Sequence, residues 1–481
     1  MNRHLVVKVL GIVLLLEAAL MLPSVLVSLI YGGGDAPAFV YSILILLAVG
    51  IPFACVKAKK NKRMYIRDGF AIVGLSWVFM SAFGALPYFF SGAVPDVFSA
   101  FFESVSGFTT TSASVLKDVE SVSKGILFWR SFTNWIGGMG VLMFTLAIIP
   151  AISGNTSIMK AESTGYSHHK IVPKMGSTAK IFYFIYTGMT LLQIIVLKIA
   201  GLSLYDSFLT SFATAGTGGF SNLSLSVGGL ISPAAEWIIG IFMLVYGVNF
   251  ALYFFLLTRN FRAVLKSTEL KLYLAIVVIS VIMVSVDISK IYSLGDGLIR
   301  HSFFQVSSLV TTTGFTTQNF DAWPNLSKSI ILVLMMTGAM TGSTAGGIKL
   351  GRILILVKSI NQKITKLIHP NVAKPIKVDN KIVPDETVSG ITIFFFVYMF
   401  MMFSSLVLIS FNELSVVTNL SAVIACIGNV GIGLDAIGPL GSYSVYNPFA
   451  KMVLSFCMLA GRLEILPMVL IIMPSFWKRK V

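Results

Sequence analysis

The sequence predicts an all-α polytopic membrane protein: two leading helices, then four parallel repeats of helix, half-helix with its loop, and helix, set around one central pore. Three observations carry that reading. The chain of 481 residues is 56% hydrophobic and only 12% charged, with a mean hydropathy of +0.87, outside the range of ordinary soluble domains. Apolar runs of about 20 residues, the length that crosses about 30 Å of hydrocarbon as helix, recur along the whole chain. Between them, a shorter apolar run that ends in Gly, Ser and Thr recurs four times.

The first run, "HLVVKVLGIVLLLEAALMLPSVLVSLIYGGG", is too long for a secretory leader and lacks a small-residue cleavage site, so it reads as a spanning helix. Charge then sets the orientation. Lys57, Lys59, Lys60, Lys62, Arg63 and Arg67 crowd one short loop, whereas Gly201 to Ala234 and Phe411 to Ala450 hold no Lys or Arg. By the positive-inside rule the basic loops face the cytoplasm. The stretches His168 to Lys180, Arg259 to Lys271 and Lys349 to Lys381 fall on the same side, as does the C-terminal "KRKV". Both termini are then cytoplasmic in a multi-pass protein of the cytoplasmic membrane with about ten spans. The formal charge of +16 serves membrane phospholipid rather than nucleic acid. Cys55, Cys426 and Cys457 lie in apolar segments without metal-ligand spacing and read as core residues.

The short runs align as "FFESVSGFTTTSASV" (Phe101 to Val115), "SFLTSFATAGTGGFS" (Ser207 to Ser221), "FFQVSSLVTTTGFTT" (Phe303 to Thr317) and "LSAVIACIGNVGIGL" (Leu420 to Leu434). Each has about half the length needed to span. The boundaries that follow are 1–67 for the leading helices and basic loop, then 68–160, 161–265, 266–375 and 376–481 for the repeats. Extended backbone behind a half-helix cannot face lipid and must line a watery cavity or be buried in protein. Four such units therefore surround a common axis. All four loops enter from the outer side, so the repeats are parallel, unlike those of inverted-repeat transporters.

The seven residues "TTTGFTT", Thr311 to Thr317, show what these loops can do. A dehydrated cation needs oxygen ligands in place of water, and backbone carbonyls supply them where the chain adopts unusual dihedral angles. Glycine permits those angles. The aligned glycine-type positions are Ser112, Gly218, Gly314 and Gly431.

Together "FFESVSGFTTTSA", "NWIGGMGV", "TGGFS", "TTTGFTT", "MTGSTAGGIKLGR" and "AGRLEILP" resemble the Trk/Ktr/HKT superfamily of cation transporters, and within it the TrkH family of membrane subunits, over the whole chain. The resemblance implies potassium as cargo, held by backbone carbonyls of a selectivity filter at Thr111, Ser112, Thr217, Gly218, Thr313, Gly314, Val430 and Gly431. It implies two leading helices, here Leu5 to Lys57, before repeats descended from the potassium-channel pore unit. It also implies a homodimer with one pore per subunit and a cytoplasmic nucleotide-binding regulatory ring of the TrkA type. The first repeat departs from the family's "TTTGA": Ser112 stands at the glycine, and serine there accompanies sodium transport in the plant branch. Ser112 is accordingly expected to weaken discrimination of potassium from sodium, the alternative being that the serine backbone adopts the same conformation as glycine.

Two features lie below the filter. "GAMTGSTAGGIKLGR", Gly338 to Arg352, has poor helix propensity and can unwind beside a water-filled cavity. The resemblance makes Gly342, Ser343, Thr344, Ala345, Gly346 and Gly347 an intramembrane gate loop, where close helix packing through small residues is the structural alternative. Arg462 is an ionisable group inside an apolar run and faces an aqueous path or a partner; the family sets it against the gate loop. Glu103, on the first half-helix, either adds negative potential near the filter or hydrogen-bonds the back of its loop.

No nucleophile, acid–base pair, ligand set or cofactor fingerprint appears in the sequence, and the run "GSTAGGIK" fails the phosphate-loop pattern because Ile348 separates Gly347 from Lys349. The reading is a transport subunit without cofactor chemistry, nucleotide acting only through the partner. An ion-coupled secondary transporter would need relay acids in midmembrane, for which Glu17, Glu103 and Glu464 are the candidates. A nonconducting anchor for the ring would need no filter.

Overall fold

A computed structural model describes residues 2–57, 66–140, 175–230, 232–293, 297–371 and 375–477. Lys59, Lys60, Lys62 and Arg63 of the first basic loop, His168, the boundary at 160–161 and the "KRKV" end lie outside the described residues. Two long helices lead, α1 (Arg3–Tyr31) and α2 (Ala36–Ala54), packed as an antiparallel pair. Helix α3 (Ile66–Gly84) follows and runs on into the short α4 (Leu86–Phe90).

From α3 onward one order recurs four times. A long helix is followed by a half-helix, an irregular loop and a second helix. The half-helices are α5 (Val97–Phe108), α8 (Leu204–Gly216), α13 (Leu298–Val310) and α17 (Val416–Ile427), each of 12 or 13 residues. Three begin on side-chain caps: Asp96, Ser203 and Ser415 accept the backbone N–H groups of Ser99, Asp206 and Thr418, satisfying one orphan donor each. The first helices of the second, third and fourth units are α7 (Met175–Ile199), α12 (Thr268–Ile288) and α16 (Asp385–Ile409).

Among the described residues, six elements are long and apolar enough to cross a membrane, or seven if one bent pair counts as a single span. The six are the leading pair and the four first helices. The expectation of about ten is reached only by adding the four second helices, of which those of the second, third and fourth units are interrupted. In the first unit α6 (Lys124–Gly138) stops two residues before Gly140, whose φ is 71°. In the second, α9 (Pro233–Tyr246) and α10 (Phe250–Leu257) meet at 92°, with Asn249 capping α10; the short α11 (Phe261–Lys266) follows before α12. In the third, α14 (Asn325–Thr337) and α15 (Leu350–Ile368) are separated by the glycine-rich segment. In the fourth, α18 (Pro448–Arg462) ends before the left-handed Glu464 and Ile465, and α19 (Leu466–Ile472) and α20 (Pro474–Trp477) complete the described chain.

The strands among the described residues are a two-residue antiparallel pair, Lys377–Val378 with Lys381–Ile382. Its turn uses left-handed Asp379 and Asn380, the backbone a two-residue hairpin demands. Large apolar side chains line the outer faces of the long helices, Phe184, Val286, Phe396 and Phe400 among them. On a soluble surface they would form an aggregation liability; in hydrocarbon they meet their own solvent.

Candidate functional site

Each half-helix ends in the same hydrogen-bonded turn. The N–H groups of Thr111 and Ser112 both donate to the Ser106 carbonyl at 2.9 and 3.3 Å, and those of Gly218 and Gly219 to Ala213 at 2.9 and 3.4 Å. Thr313 and Gly314 do the same on Ser308, and Val430 and Gly431 on Ala425, each at 2.8 and 3.4 Å. Left-handed residues alternate along each loop: Thr110 and Ser112, Thr217 and Gly219, Thr312 and Gly314, Asn429 and Gly431, with φ between 53° and 85°. Such alternation turns successive N–H groups to one side, here onto the half-helix, and leaves the carbonyls to the other.

This pattern corrects the sequence alignment in the second unit. Gly219, not Gly218, matches Ser112, Gly314 and Gly431, while Gly218 stands level with Thr111, Thr313 and Val430. The adjacent glycines of "GTGGF" allow either register as letters. The available signal was the following phenylalanine, Phe220, which matches Phe315 of "TTTGF".

The four loops touch in a closed cyclic order. A methyl on Gly219 would lie 1.9 Å from the Thr313 carbonyl oxygen, one on Gly314 2.1 Å from Val430 O, and one on Gly431 2.0 Å from Thr111 O. Second packs on third, third on fourth and fourth on first. Between first and second, Arg130 donates to the Ser221 carbonyl at 2.8 Å. Further out, Gly228 N–H donates to Thr316 O at 3.0 Å and Tyr443 N–H to Ser114 O at 2.8 Å.

Hydroxyls brace the loops from within: Thr109 and Thr111 lie 2.8 Å apart at Oγ1, and so do Thr311 and Thr313. Glu103 resolves to the back of its loop. Its carboxylate accepts from Ser114 Oγ at 3.0 Å, from Val115 N–H at 2.9 Å and from Arg130 Nε at 2.7 Å, and the Arg130 guanidinium lies 3.6 Å from the centre of the Phe220 ring. This buried ion pair ties the first loop to the second. Sequence reading missed Arg130, Thr110, Thr312, Asn429 and Gly219; a signal was carried by Arg130, a charge inside an apolar helix, and by Gly219 through the phenylalanine that follows it.

The glycine-rich segment lies directly against the loops. Gly346 N–H donates to Thr312 Oγ1 at 2.7 Å, and a methyl on Gly346 would lie 2.4 Å from the Gly428 carbonyl oxygen. Its ends are knitted to the bend of the second unit, Phe250 N–H donating to Gly342 O at 3.0 Å and Met340 N–H to Gly247 O at 3.2 Å. Arg462 reaches into it, donating to Thr344 O at 2.7 Å, to Gly138 O at 2.8 Å and to Gly137 O. One guanidinium thus joins the second helices of the first, third and fourth units. Glu464 pairs with Arg352, and with Lys349 at 3.6 Å, anchoring the start of α15. Of the candidate relay acids, Glu103 and Glu464 are therefore held in ion pairs; Glu17 is buried in α1, packed near Gly84.

A ring of four carbonyl-bearing loops over an unwound segment, inside an apolar helical chain, is the architecture of an integral membrane protein that handles cations. Comparison with known proteins gives the particular family. Residues 36–479 match the sequence model of the TrkH family, described as cation transport protein, and the chain belongs to that family. It is 33% identical over 99% of its length to the whole of the Trk system potassium uptake protein TrkH of Escherichia coli K12. It is 32% identical over 100% of its length to the whole of the protein of the same name from Halomonas elongata. The crystal structure of the potassium transporter TrkH from Vibrio parahaemolyticus superposes with a TM-score of 0.88 at 30% identity, over 99% of this chain and all of that one. This is a family of transport proteins, not of enzymes.

Proposed function

We propose that the protein takes up potassium through a channel-like, regulated pathway along the axis of the four loops. The observation that carries the reading is the repeated turn: four pairs of N–H groups bound back to half-helices, with carbonyls left over to replace an ion's water. The half-helix C-termini add negative potential to the same cavity. The names of the relatives supply potassium as the cargo. Inward movement of one positive charge gains about 2.3 kcal/mol per 100 mV of potential, so no chemical coupling is required.

The segment Gly342 to Gly347 is the gate in this reading, and Arg462 is its latch, bonded to Thr344. A cytoplasmic nucleotide-binding ring of the TrkA type releases it, and two copies of the chain form a homodimer in the cytoplasmic membrane, termini inside. The repeat boundaries proposed are 68–160, 161–265, 266–375 and 376–481. How much sodium passes is decided at the first loop, where Ser112 stands.

The test is flux of K+, Rb+, Na+ and Li+ through the purified protein in liposomes, beside Gly314→Ser. Preference for K+ and Rb+, lost in the variant, is the expected result. Flux that depends on a proton or sodium gradient would replace the channel reading with a secondary transporter.

A further inference from the structure

One seam of the loop ring is built differently from the other three. At three seams a glycine α-carbon lies against the next loop's carbonyl, where an added methyl would fall 1.9–2.1 Å from oxygen. At the seam between the first and second loops the matching residue is Ser112, with φ 60° and a Cβ the other seams have no room for. A serine there needs both space and a partner for its hydroxyl.

Two more departures from the repeat pattern supply them. Level with Thr111, Thr313 and Val430 the second loop has Gly218, and a methyl on Gly218 would lie 2.4 Å from the Asn134 amide. Asn134 is fully buried on α6. Its amide is satisfied with Nδ2 donating to the Gly107 carbonyl at 2.7 Å and Oδ1 accepting the Ser112 hydroxyl at 2.9 Å and the Phe220 N–H at 3.3 Å. It therefore binds the half-helix and the loop of the first unit to the loop of the second.

The fourth unit provides an internal comparison. Methyls on Gly137 and Gly461 would lie 1.9 and 2.1 Å from the carbonyl oxygens of Phe108 and Ile427, each four residues before Ser112 and Gly431. The counterpart of Asn134 is thus Met458, an apolar side chain beside a loop that carries glycine. The amide occurs where the serine occurs.

We propose that Asn134 is a positioning residue for ion selectivity: it holds the Ser112 hydroxyl to the outside of the ring, so that serine takes the glycine backbone conformation and potassium preference is kept. The proposal rests on reading the loops as an ion filter. It reverses the expectation that Ser112 by itself admits sodium, because a hydroxyl bonded to Asn134 is not presented to the ion.

The experiment compares Ser112→Ala, Ser112→Gly, Asn134→Leu and the double variant Ser112→Gly/Asn134→Leu with the parent chain. Two readouts are taken: K+ and Na+ flux in liposomes, and the rise in melting temperature that each ion gives the purified protein in detergent. Ser112→Ala keeps the Cβ and loses only the bond, so it tests the proposal even if Asn134→Leu does not fold. Ser112→Ala and Asn134→Leu are expected to lower the K+/Na+ ratio at least about tenfold, whereas Asn134→Leu costs less than about threefold in the glycine background, the non-additivity expected of a coupled pair. Equal losses in both backgrounds, or an unchanged ratio in Ser112→Ala, would overturn the proposal while leaving the filter intact. A parent chain without ion preference in either readout would overturn the filter reading as well.

Discussion

Replacing Gly431 by alanine tests the loop ring at one of its three tight cross-unit contacts. The added methyl would sit 2.0 Å from Thr111 O, and 2.7 Å from both Ala113 N and Ser112 C. Carbon and carbonyl oxygen settle no closer than about 3.3 Å, so the fourth and first loops must part by roughly 1.3 Å. The residue must also hold a φ of 85°, which costs an L-residue about 1–2 kcal/mol. A carbonyl cage opened by over 1 Å no longer replaces an ion's water evenly. The K+/Na+ permeability ratio in liposomes should fall at least tenfold, about 1.4 kcal/mol of lost discrimination. Gly188→Ala is the control, because a methyl there meets nothing within 4 Å. A Gly431→Ala protein that melts like the parent and keeps its ratio would refute the carbonyl ring as the seat of selectivity.

Arg462→Gln should raise potassium flux measured without any partner and leave the ion ratio unchanged, since it removes the bond to Thr344 but nothing in the loops; reduced flux would mean that Arg462 serves the open state. Thr312→Val removes the acceptor of the Gly346 N–H and should act in the same direction, read by the same flux assay. Arg130→Met strands a buried carboxylate at Glu103 and should destabilise by about 3–5 kcal/mol in thermal melts, with much of the loss recovered in Arg130→Met/Glu103→Met. On the outer surface, hydroxyls of Ser415 and Thr418 hold the Asp435 carboxyl below the usual carboxylate range. Its contribution is present above the unfolded value of about 3.9 and lost as pH falls through the lower folded value. Asp435 should therefore contribute no change in melting between pH 7 and 5, and Asp435→Asn should blunt only the decline at more acid pH.

The long apolar helices were legible because about 20 residues of one chemistry leave few alternatives. The half-helices were legible as well, since their length is wrong for a span and right for a buried stub. The breaks in the second helices were only partly visible. Four glycines announced the one in the third unit, but the bend at Gly247 and the left-handed pair Glu464 and Ile465 are set by packing against neighbours, which no local pattern records. Register within a glycine pair was the other limit. Gly218 and Gly219 are interchangeable as letters, and what separates them is the hydrogen bond each makes to Ala213 and the amide of Asn134 alongside. Glu103 had two readings until Arg130, 27 residues away, came into contact with it.

In the proposed reading, the interruptions in the second helices let one chain hold a fixed ring beside a movable segment. A continuous helix satisfies its own backbone and would pass the loops without touching them. A broken one frees carbonyl and N–H groups, and here such groups are used across units: Gly247 receives Met340 and Gly346 donates to Thr312, while Gly137 and Gly138 at the end of α6 receive Arg462. The loops above are held by two N–H bonds each and by the buried Glu103–Arg130 pair, bonds that moving the segment does not break. The segment is held by single bonds to Arg462, Glu269, Gly247, Phe250 and Thr312, which in the proposed reading would be exchanged for water at little net cost. In the proposed reading selectivity and gating thus draw on different bonds, so that a stimulus shifting α15 would open the path without loosening the ring.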